Sequence, residues 1–144
     1  MPIHRMSLEG DIFVAKAVGY LEDPDLRLWA NALRNYAESG SVPLGAVMDM
    51  AEVNRVAPTA AKVLGELLKS PNVGGVGIII SDAMLTQNAK IVDKMSELNG
   101  VRMFSNWDEA LRFVQARLTV PVTMGGWGTM NVSQFSSRSF ASAY

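Results

Sequence analysis

The chain contains no cysteine and a single histidine, His4, among its 144 residues. The absence of cysteine excludes disulfides, thiolate nucleophiles and cysteine-ligated metal sites, and it is typical of a protein from a reducing compartment. One histidine near the N-terminus, remote in sequence from a carboxylate partner, does not assemble into a catalytic triad or a histidine metal site. We therefore predict no catalytic residue, no bound metal and no cofactor.

The net charge is only −1, and long apolar segments are missing. Thirteen basic and fourteen acidic residues are spread along the chain, so no field attracts a nucleic acid or an anionic membrane. The longest apolar run, residues 76–80, is far too short to cross a bilayer, and the N-terminal MPIHRMSLEGD lacks the apolar region of a signal peptide. These absences predict a cytoplasmic protein with no transmembrane segment and no nucleic-acid partner.

The size and apolar content that remain fit one domain. A chain of 144 residues with 49% hydrophobic residues buries about 70% of the surface of its unfolded state. The composition changes at residue 119, because the segment 119–144 lacks Asp, Glu and Lys, is rich in Ser and Gly, and carries large aromatic residues. We predict a domain over residues 1–118 and a tail over residues 119–144 that acts as an oligomerisation arm in a homodimer.

The first half of the chain predicts a hairpin, a helix and a buried strand. Residues 3–9 and 12–20 are β-rich runs separated by a short turn around Gly10. Asp23 is the expected N-cap of a helix, with Pro24 at its first position, and apolar residues then recur every three or four positions until Gly40. Residues 44–50 are nearly all apolar, which indicates a central strand covered on both faces.

Helices and strands alternate in the second half. Pro58 begins a helix that ends near residue 70, residues 73–81 form a buried strand, residues 84–98 form a third helix, and residues 101–104 form a short strand. Ser105 is the expected cap of a last helix. This order implies right-handed crossovers. The predicted fold class is α/β, with a mixed, mostly parallel sheet of about five strands, an N-terminal hairpin and about four helices.

Three segments of this pattern carry a family resemblance. They are the strand, connection and helix AVMDMAEVNRVAPTAAKVLGELL, the strand GVGIIISD, and the strand and helix VRMFSNWDEALRFV. In matching order, over residues 10–118, they resemble the STAS superfamily and, within it, the SpoIIAA-like group of small stand-alone domains. The resemblance implies the STAS fold and a regulatory role through protein contacts.

The resemblance also indicates a phospho-acceptor-equivalent position at Thr59. In phospho-switch members the helix after the central strand opens with Asp-Ser-Ser-Gly, and the second serine is phosphorylated. Residues 57–60 of this chain match those four positions, and only Thr59 keeps a hydroxyl. A phosphate there would lie at a helix N-terminus, where free N–H groups favour an anion. Because the rest of the motif is absent, we favour the interpretation that Thr59 is an ordinary helix-start residue.

Polar residues after the central strand are the other candidates for a site. Asp49 lies at the predicted carboxyl end of that strand, where open α/β sheets bind ligands, and Glu52, Asn54, Arg55 and Pro58 follow it. We predict that these residues form an interaction or ligand loop. The resemblance implies a mainly structural role for Asp49, as an acceptor for loop N–H groups.

Two further clusters have structural explanations. Gly74, Gly75 and Gly77 precede or start a strand, whereas phosphate loops follow a strand, so close packing or a bulge is the favoured reason for these glycines. The acidic residues within 22–25 are more typical of a helix start than of a metal site.

Since no active site assembles, we predict a non-enzymatic domain that acts on an unknown protein partner by protein–protein interaction, or by regulatory ligand binding. The alternative is a carrier or sensor of a small apolar molecule or lipid held between the helices and the sheet. Nine methionines motivate this alternative, although we favour a gap-filling role for them in the core.

Overall fold

A computed structural model describes residues 3–40 and 42–119 of the chain. Residues 120–144, which make up nearly all of the predicted oligomerisation arm, lie outside the described residues. The described part carries the sheet and its helices.

The elements follow the predicted order. They are β1 (Ile3–Glu9), β2 (Ile12–Leu21), α1 (Asp23–Ser39), β3 (Leu44–Val56), α2 (Ala60–Leu67), β4 (Val73–Ile79), α3 (Asp82–Gln87), α4 (Ala89–Ser96), β5 (Val101–Phe104) and α5 (Trp107–Thr119). The sheet order is β1-β2-β3-β4-β5. β1 is antiparallel to β2, and the other neighbours are parallel. The mixed, mostly parallel sheet, its N-terminal hairpin and the central place of β3 are therefore confirmed.

The helices cover the two faces of the sheet unequally. The larger buried cluster joins one face to α1, α2, α3 and α4, and the smaller one joins the other face to α5 alone. Four methionines fill the larger cluster at 0–1% exposure: Met48, Met50, Met84 and Met95. Ile12 and Val14 at the start of β2 are buried on this second face. Among the described residues, β1 and the later part of β2 are less covered there, because Arg5 and Glu9 are exposed and Lys16 and Val18 are half-buried.

Glycines allow α5 to lie close to the sheet. A Cβ at Gly45 would overlap the side chain of Val114, and a Cβ at Gly74 would come within 2.8 Å of Leu118 Cδ2. Gly75 and Gly77 have similarly close neighbours on α5. The close packing predicted for the glycines that precede or start β4 is confirmed.

β3 continues well past the predicted end at residue 50, to Val56. β4 pairs with β3 only as far as Asp49, so no strand of the described residues lies on that side of the far end of β3. Side chains take over: Ser81 Oγ donates to Ala51 O at 2.9 Å, and Asn88 accepts from Val56 N at 3.0 Å. These bonds satisfy backbone groups that would otherwise need a partner strand.

Asn88 also divides the predicted third helix in two. Its backbone leaves helical geometry, with φ −130°, and its amide nitrogen donates to Asn54 O at 3.0 Å and Met84 O at 2.9 Å. The described chain consequently has five helices, where about four were predicted.

Two predicted helix caps were wrong by one residue. α1 begins at Asp23, so Glu22 is its N-cap, and Glu22 N donates to Asp25 Oδ2 at 3.2 Å in the manner of a capping box. At α5, Asn106 Oδ1 accepts from Glu109 N at 3.0 Å, so Asn106 rather than Ser105 provides the cap. The correction at α1 leaves the acidic residues 22–25 engaged in starting a helix.

Candidate functional site

The residues of the predicted interaction loop do not form a loop. Asp49, Glu52, Asn54 and Arg55 all belong to β3, and only Pro58 lies in the connection to α2. Asn54 and Arg55 are exposed on the far end of β3, where the Arg55 guanidinium lies 5.2 Å from the ring centre of Tyr20. The structure therefore does not bring the predicted set together at one place.

Asp49 and Glu52 instead line a cleft on the open part of the sheet, beside the start of α5. The cleft has a volume of about 600 Å³ and is lined by His4, Arg5, Lys16, Val18, Asp49, Glu52 and Trp107. We call it the sheet groove. Its walls come from β1, β2 and β3 and from Trp107, the first residue of α5.

Strand pairing places the charges of the groove in rows. Arg5 is opposite Lys16 in the β1–β2 ladder, and Lys16 is opposite Asp49 in the β2–β3 ladder. Opposed residues point to the same face of a sheet. A row of two cations and one carboxylate therefore crosses three strands on the floor of the groove.

A β-bulge brings Glu52 into the same groove. Lys16 pairs with Asp49 and Val18 pairs with Glu52, so two residues of β3 lie opposite one residue of β2. In a regular strand, residues three apart face opposite sides, and the additional residue returns Glu52 to the side of Asp49. Asp49 Oδ1 accepts from Ala51 N at 3.0 Å within this bulge, the structural use expected for this acid.

Lys16 and Glu52 form the ion pair of the groove, with Lys16 Nζ 2.8 Å from Glu52 Oε2. The hydrogen bond and the charge of Glu52 raise the pKa of Lys16 above its ordinary value. The same contact lowers the pKa of Glu52, to which the more distant His4 makes a small contribution. Both side chains are therefore held in their charged forms around neutral pH.

Asp49 has four neighbours in the groove that the sequence did not predict: His4, Arg5, Lys16 and Trp107. His4 occupies an irregularity in β1, where the register shifts between Ile3 and Arg5. Neither that shift nor the bulge in β3 has a signature in the local residue pattern. One feature of the sequence could have pointed to Lys16 as a groove residue. It is a charged residue between buried neighbours in β2, an otherwise apolar strand.

Thr59 lies elsewhere, where α2 approaches α1. Its hydroxyl donates to Asp23 Oδ1, and Arg27 Nε donates to Asp23 Oδ2 at 2.8 Å. Arg27 also lies 3.6 Å from Glu66 on α2. The hydrogen bond from Thr59, followed by the one from Arg27, lowers the pKa of Asp23. A phosphate on Thr59 would face this carboxylate, and that geometry supports the interpretation of Thr59 as a structural residue.

A second cleft, of about 610 Å³, lies between the end of α4, β5 and α5. Its cations are already engaged: Arg102 and Arg117 lie over the ring of Phe113, at 5.2 and 5.9 Å, and Arg117 Nε donates to Gly74 O at 2.7 Å. The sheet groove has the more convergent set of charged groups, and we take it as the candidate site.

Within residues 3–40 and 42–119, no group of three or more His, Asp or Glu side chains is arranged to hold a metal ion. In the same part of the chain, no helix combines the length and apolar character needed to span a membrane.

Comparison with known proteins confirms the fold. The chain matches the crystal structure of an uncharacterized protein of the DUF3478 family with a SpoIIAA-like fold, from Shewanella loihica PV-4, at 23% sequence identity and a TM-score of 0.50. The match covers 78% of this chain and 91% of that one. No family model and no curated protein matches the chain. The chain therefore has the SpoIIAA-like fold that its sequence resembles.

Proposed function

We propose that this protein is a non-enzymatic binding domain whose sheet groove holds a small ligand with a carboxylate or similar anionic group and a flat apolar part. The observation that carries the proposal is the convergence of Arg5, His4 and Lys16 on one open cleft beside Trp107. Ligand sites combine an apolar wall with a few placed polar groups in this way.

The state of the charged groups argues against acid–base catalysis. An efficient general acid or base has a pKa near the working pH. Pairing moves the pKa of Lys16 upward and that of Glu52 downward, away from neutrality in both cases. Asp49 is bonded to the backbone of β3. These side chains suit charge recognition rather than proton transfer.

The anionic class of the ligand follows from the donors of the groove. Among the described residues, the side chains of His4 and Arg5 have no hydrogen-bond partner. A guanidinium presents a planar fork of N–H donors that fits a carboxylate or phosphate. The half-buried Trp107 provides a flat surface on which an apolar ring can stack.

The core gives little support to the alternative of a lipid or apolar ligand between the helices and the sheet. The large side chains there, including Trp29, Met48, Leu64 and Ile78, are exposed by 1% or less. Tight packing of this kind leaves the methionines as filling for the core.

Nuclear magnetic resonance tests the proposal, because the single histidine of the chain gives one unambiguous imidazole signal. Benzoate carries both a carboxylate and a flat ring, acetate carries only the charge, and benzyl alcohol carries only the ring. We expect benzoate to shift the signals of the His4 imidazole and the Trp107 indole more strongly than either control compound.

Arg5→Met should remove most of this response, whereas the matched change Arg34→Met, on α1 at the other face of the sheet, should leave it unchanged. No benzoate response, or an equal response in the Arg5 variant, would contradict the groove as a ligand site. A turnover of p-nitrophenyl acetate or phosphate that disappears in Glu52→Gln would contradict the non-enzymatic proposal.

A further inference from the structure

Within residues 3–40 and 42–119, β1 is the first strand of the sheet and has a neighbouring strand on one side only. We propose that this free edge pairs with β1 of a second copy, antiparallel and about a two-fold axis that passes at Ser7. The pairing would join two five-stranded sheets into one continuous sheet. It requires no ligand in the sheet groove, although Arg5 belongs to both surfaces.

The side chains of β1 alternate between two different faces. Arg5, Ser7 and Glu9 lie opposite Lys16, Val14 and Ile12, on the face of the sheet groove. Met6 and Leu8 lie opposite Ala15 and Phe13, which belong to the core under α1. One face of the edge is therefore polar and charged, and the other is apolar.

The sequence of β1 is self-complementary when two copies of the strand pair antiparallel about Ser7. In an antiparallel pair with Ser7 opposite the partner's Ser7, Arg5 lies opposite the partner's Glu9, and Glu9 lies opposite the partner's Arg5. On the other face, Met6 lies opposite the partner's Leu8. On either side of the Ser7 pair, the opposed residues then join opposite charges or two apolar groups, which are stabilising cross-strand combinations.

Within the described chain, neither Arg5 nor Glu9 forms an ion pair, although Glu9 Oε2 accepts from Ser7 Oγ at 3.2 Å, and the apolar side chains of β1 are partly exposed. Met6 and Leu8 are 37% and 38% exposed, and Arg5 and Glu9 are also exposed. Tyr36 of α1 extends the apolar strip, because it is 45% exposed and its ring lies 5.5 Å from that of Phe13. Pairing would cover this strip from both copies.

The occupant that fits best is a second copy rather than an unrelated strand. Edge strands are commonly protected by charges that repel an approaching strand or by proline. The edge Arg5–Glu9 has no proline, and its charges are of opposite sign and equidistant from Ser7. An interface formed about a two-fold axis must be self-complementary in this way. Arg5 also lines the groove, and its five N–H donors can serve both a partner carboxylate and a ligand.

Charge reversal provides the first test, with sedimentation velocity of the full chain over a range of concentrations as the measurement. We expect a dimer for the wild type and a dissociation constant weakened by about tenfold in Arg5→Glu and in Glu9→Arg, because each change makes two like-charged pairs. The two single variants should associate with each other when mixed, since their mixed pairs are again of opposite charge. The double variant Arg5→Glu/Glu9→Arg should dimerise like the wild type for the same reason.

A cysteine introduced at the axis provides the second test, because the natural chain has none. Ser7→Cys should form an intermolecular disulfide under mild oxidation, since residues opposed across two strands lie within the reach of a disulfide. Ser105→Cys, exposed near the other edge of the sheet, is the matched control and should not. A monomeric wild type, a dimer insensitive to both single charge reversals, or equal cross-linking of the two cysteine variants would each overturn the proposal.

Discussion

Asn88 is the buried polar side chain of the described residues, with 4% exposure. Its carbonyl oxygen accepts from Val56 N, and its amide nitrogen donates to two backbone carbonyls, those of Asn54 and Met84. One side chain thus serves three backbone groups of β3 and α3. Met84 O also accepts from the backbone N of Asn88 at 3.0 Å, so Val56 N and Asn54 O depend most on this side chain. A buried amide that supplies partners to buried backbone groups is structural, because such groups are costly to leave unsatisfied.

Asn88→Ala should destabilise the protein by about 1–3 kcal/mol, the cost of leaving buried backbone groups unsatisfied. Urea unfolding followed by circular dichroism measures the difference. Asn35→Ala, at an exposed position on α1, is the control and should change the free energy of unfolding by less than about 0.5 kcal/mol. Equal effects of the two substitutions would show that the Asn88 contacts contribute nothing.

The hydrogen bond between Thr59 and Asp23 should make the stability of the fold depend on pH. The pKa of Asp23 is lower in the folded state because the carboxylate accepts from Thr59 and Arg27, so the ionised form stabilises the fold. This contribution is present above the pKa of an unfolded aspartate, about 3.9, and is lost as the pH falls through the lower folded value. Thr59→Ala should therefore be less stable than the wild type at pH 7, with the difference narrowing below about pH 4.

Thr59→Glu tests the same contact with an added charge. A helix N-terminus favours an acidic side chain. The Asp23 carboxylate, however, accepts a hydrogen bond from the Thr59 hydroxyl, so a glutamate at position 59 would lie next to a like charge. We expect Thr59→Glu to be less stable than Thr59→Ala at pH 7, and Thr59→Ser to match the wild type. Thermal unfolding at pH 7 and pH 3 measures both comparisons. A stabilising Thr59→Glu would show that the helix dipole outweighs Asp23 and would revive the phospho-acceptor interpretation.

At the scale of elements, the packing of α5 on β3 and β4 depends on residues without side chains. Val114 fills the space over Gly45, and Leu118 fills the space over Gly74. A methyl group at either glycine would displace the helix from the sheet, because a close-packed interior cannot absorb the volume.

Gly45→Ala should cost about 1–3 kcal/mol, the usual penalty of overpacking. Gly65→Ala is the matched control, because a Cβ there would meet only Leu98 Cδ2, at an ordinary 3.7 Å. Gly65 lies within α2, where alanine is favoured over glycine by up to about 1 kcal/mol. Chemical denaturation should therefore show opposite signs for the two changes. A neutral Gly45→Ala would mean that α5 can shift without loss.

Some strand boundaries and groove residues could be predicted from the sequence, and others could not. β1 and β5 have the predicted bounds, because alternation and turn residues mark both. The end of β3 could not be predicted, because its far edge is satisfied by Ser81 and Asn88, some thirty residues away along the chain. Asp49 and Glu52 were recognised as candidates from their place after an apolar run. Their partners Lys16 and His4 depend on strand register, which local patterns do not contain.

At the scale of the whole molecule, the unequal distribution of helices determines where ligands and partners can approach. Four helices close one face of the sheet, whereas α5 covers only part of the other. The uncovered part of β1 and β2 provides both the floor of the sheet groove and the edge proposed for dimerisation. One asymmetry of the fold therefore underlies both proposals.

The far end of β3 has a consequence for how the protein opens. Beyond Asp49 this strand is held on one side by β2 and on the other by Ser81 and Asn88, the side chains at the two ends of α3. The amide proton of Val56 is thus protected from solvent exchange for only as long as α3 stays docked. Local openings, which need less free energy than global unfolding, should release α3 and this amide together while the amides of the β2–β3 ladder near Val47 remain protected.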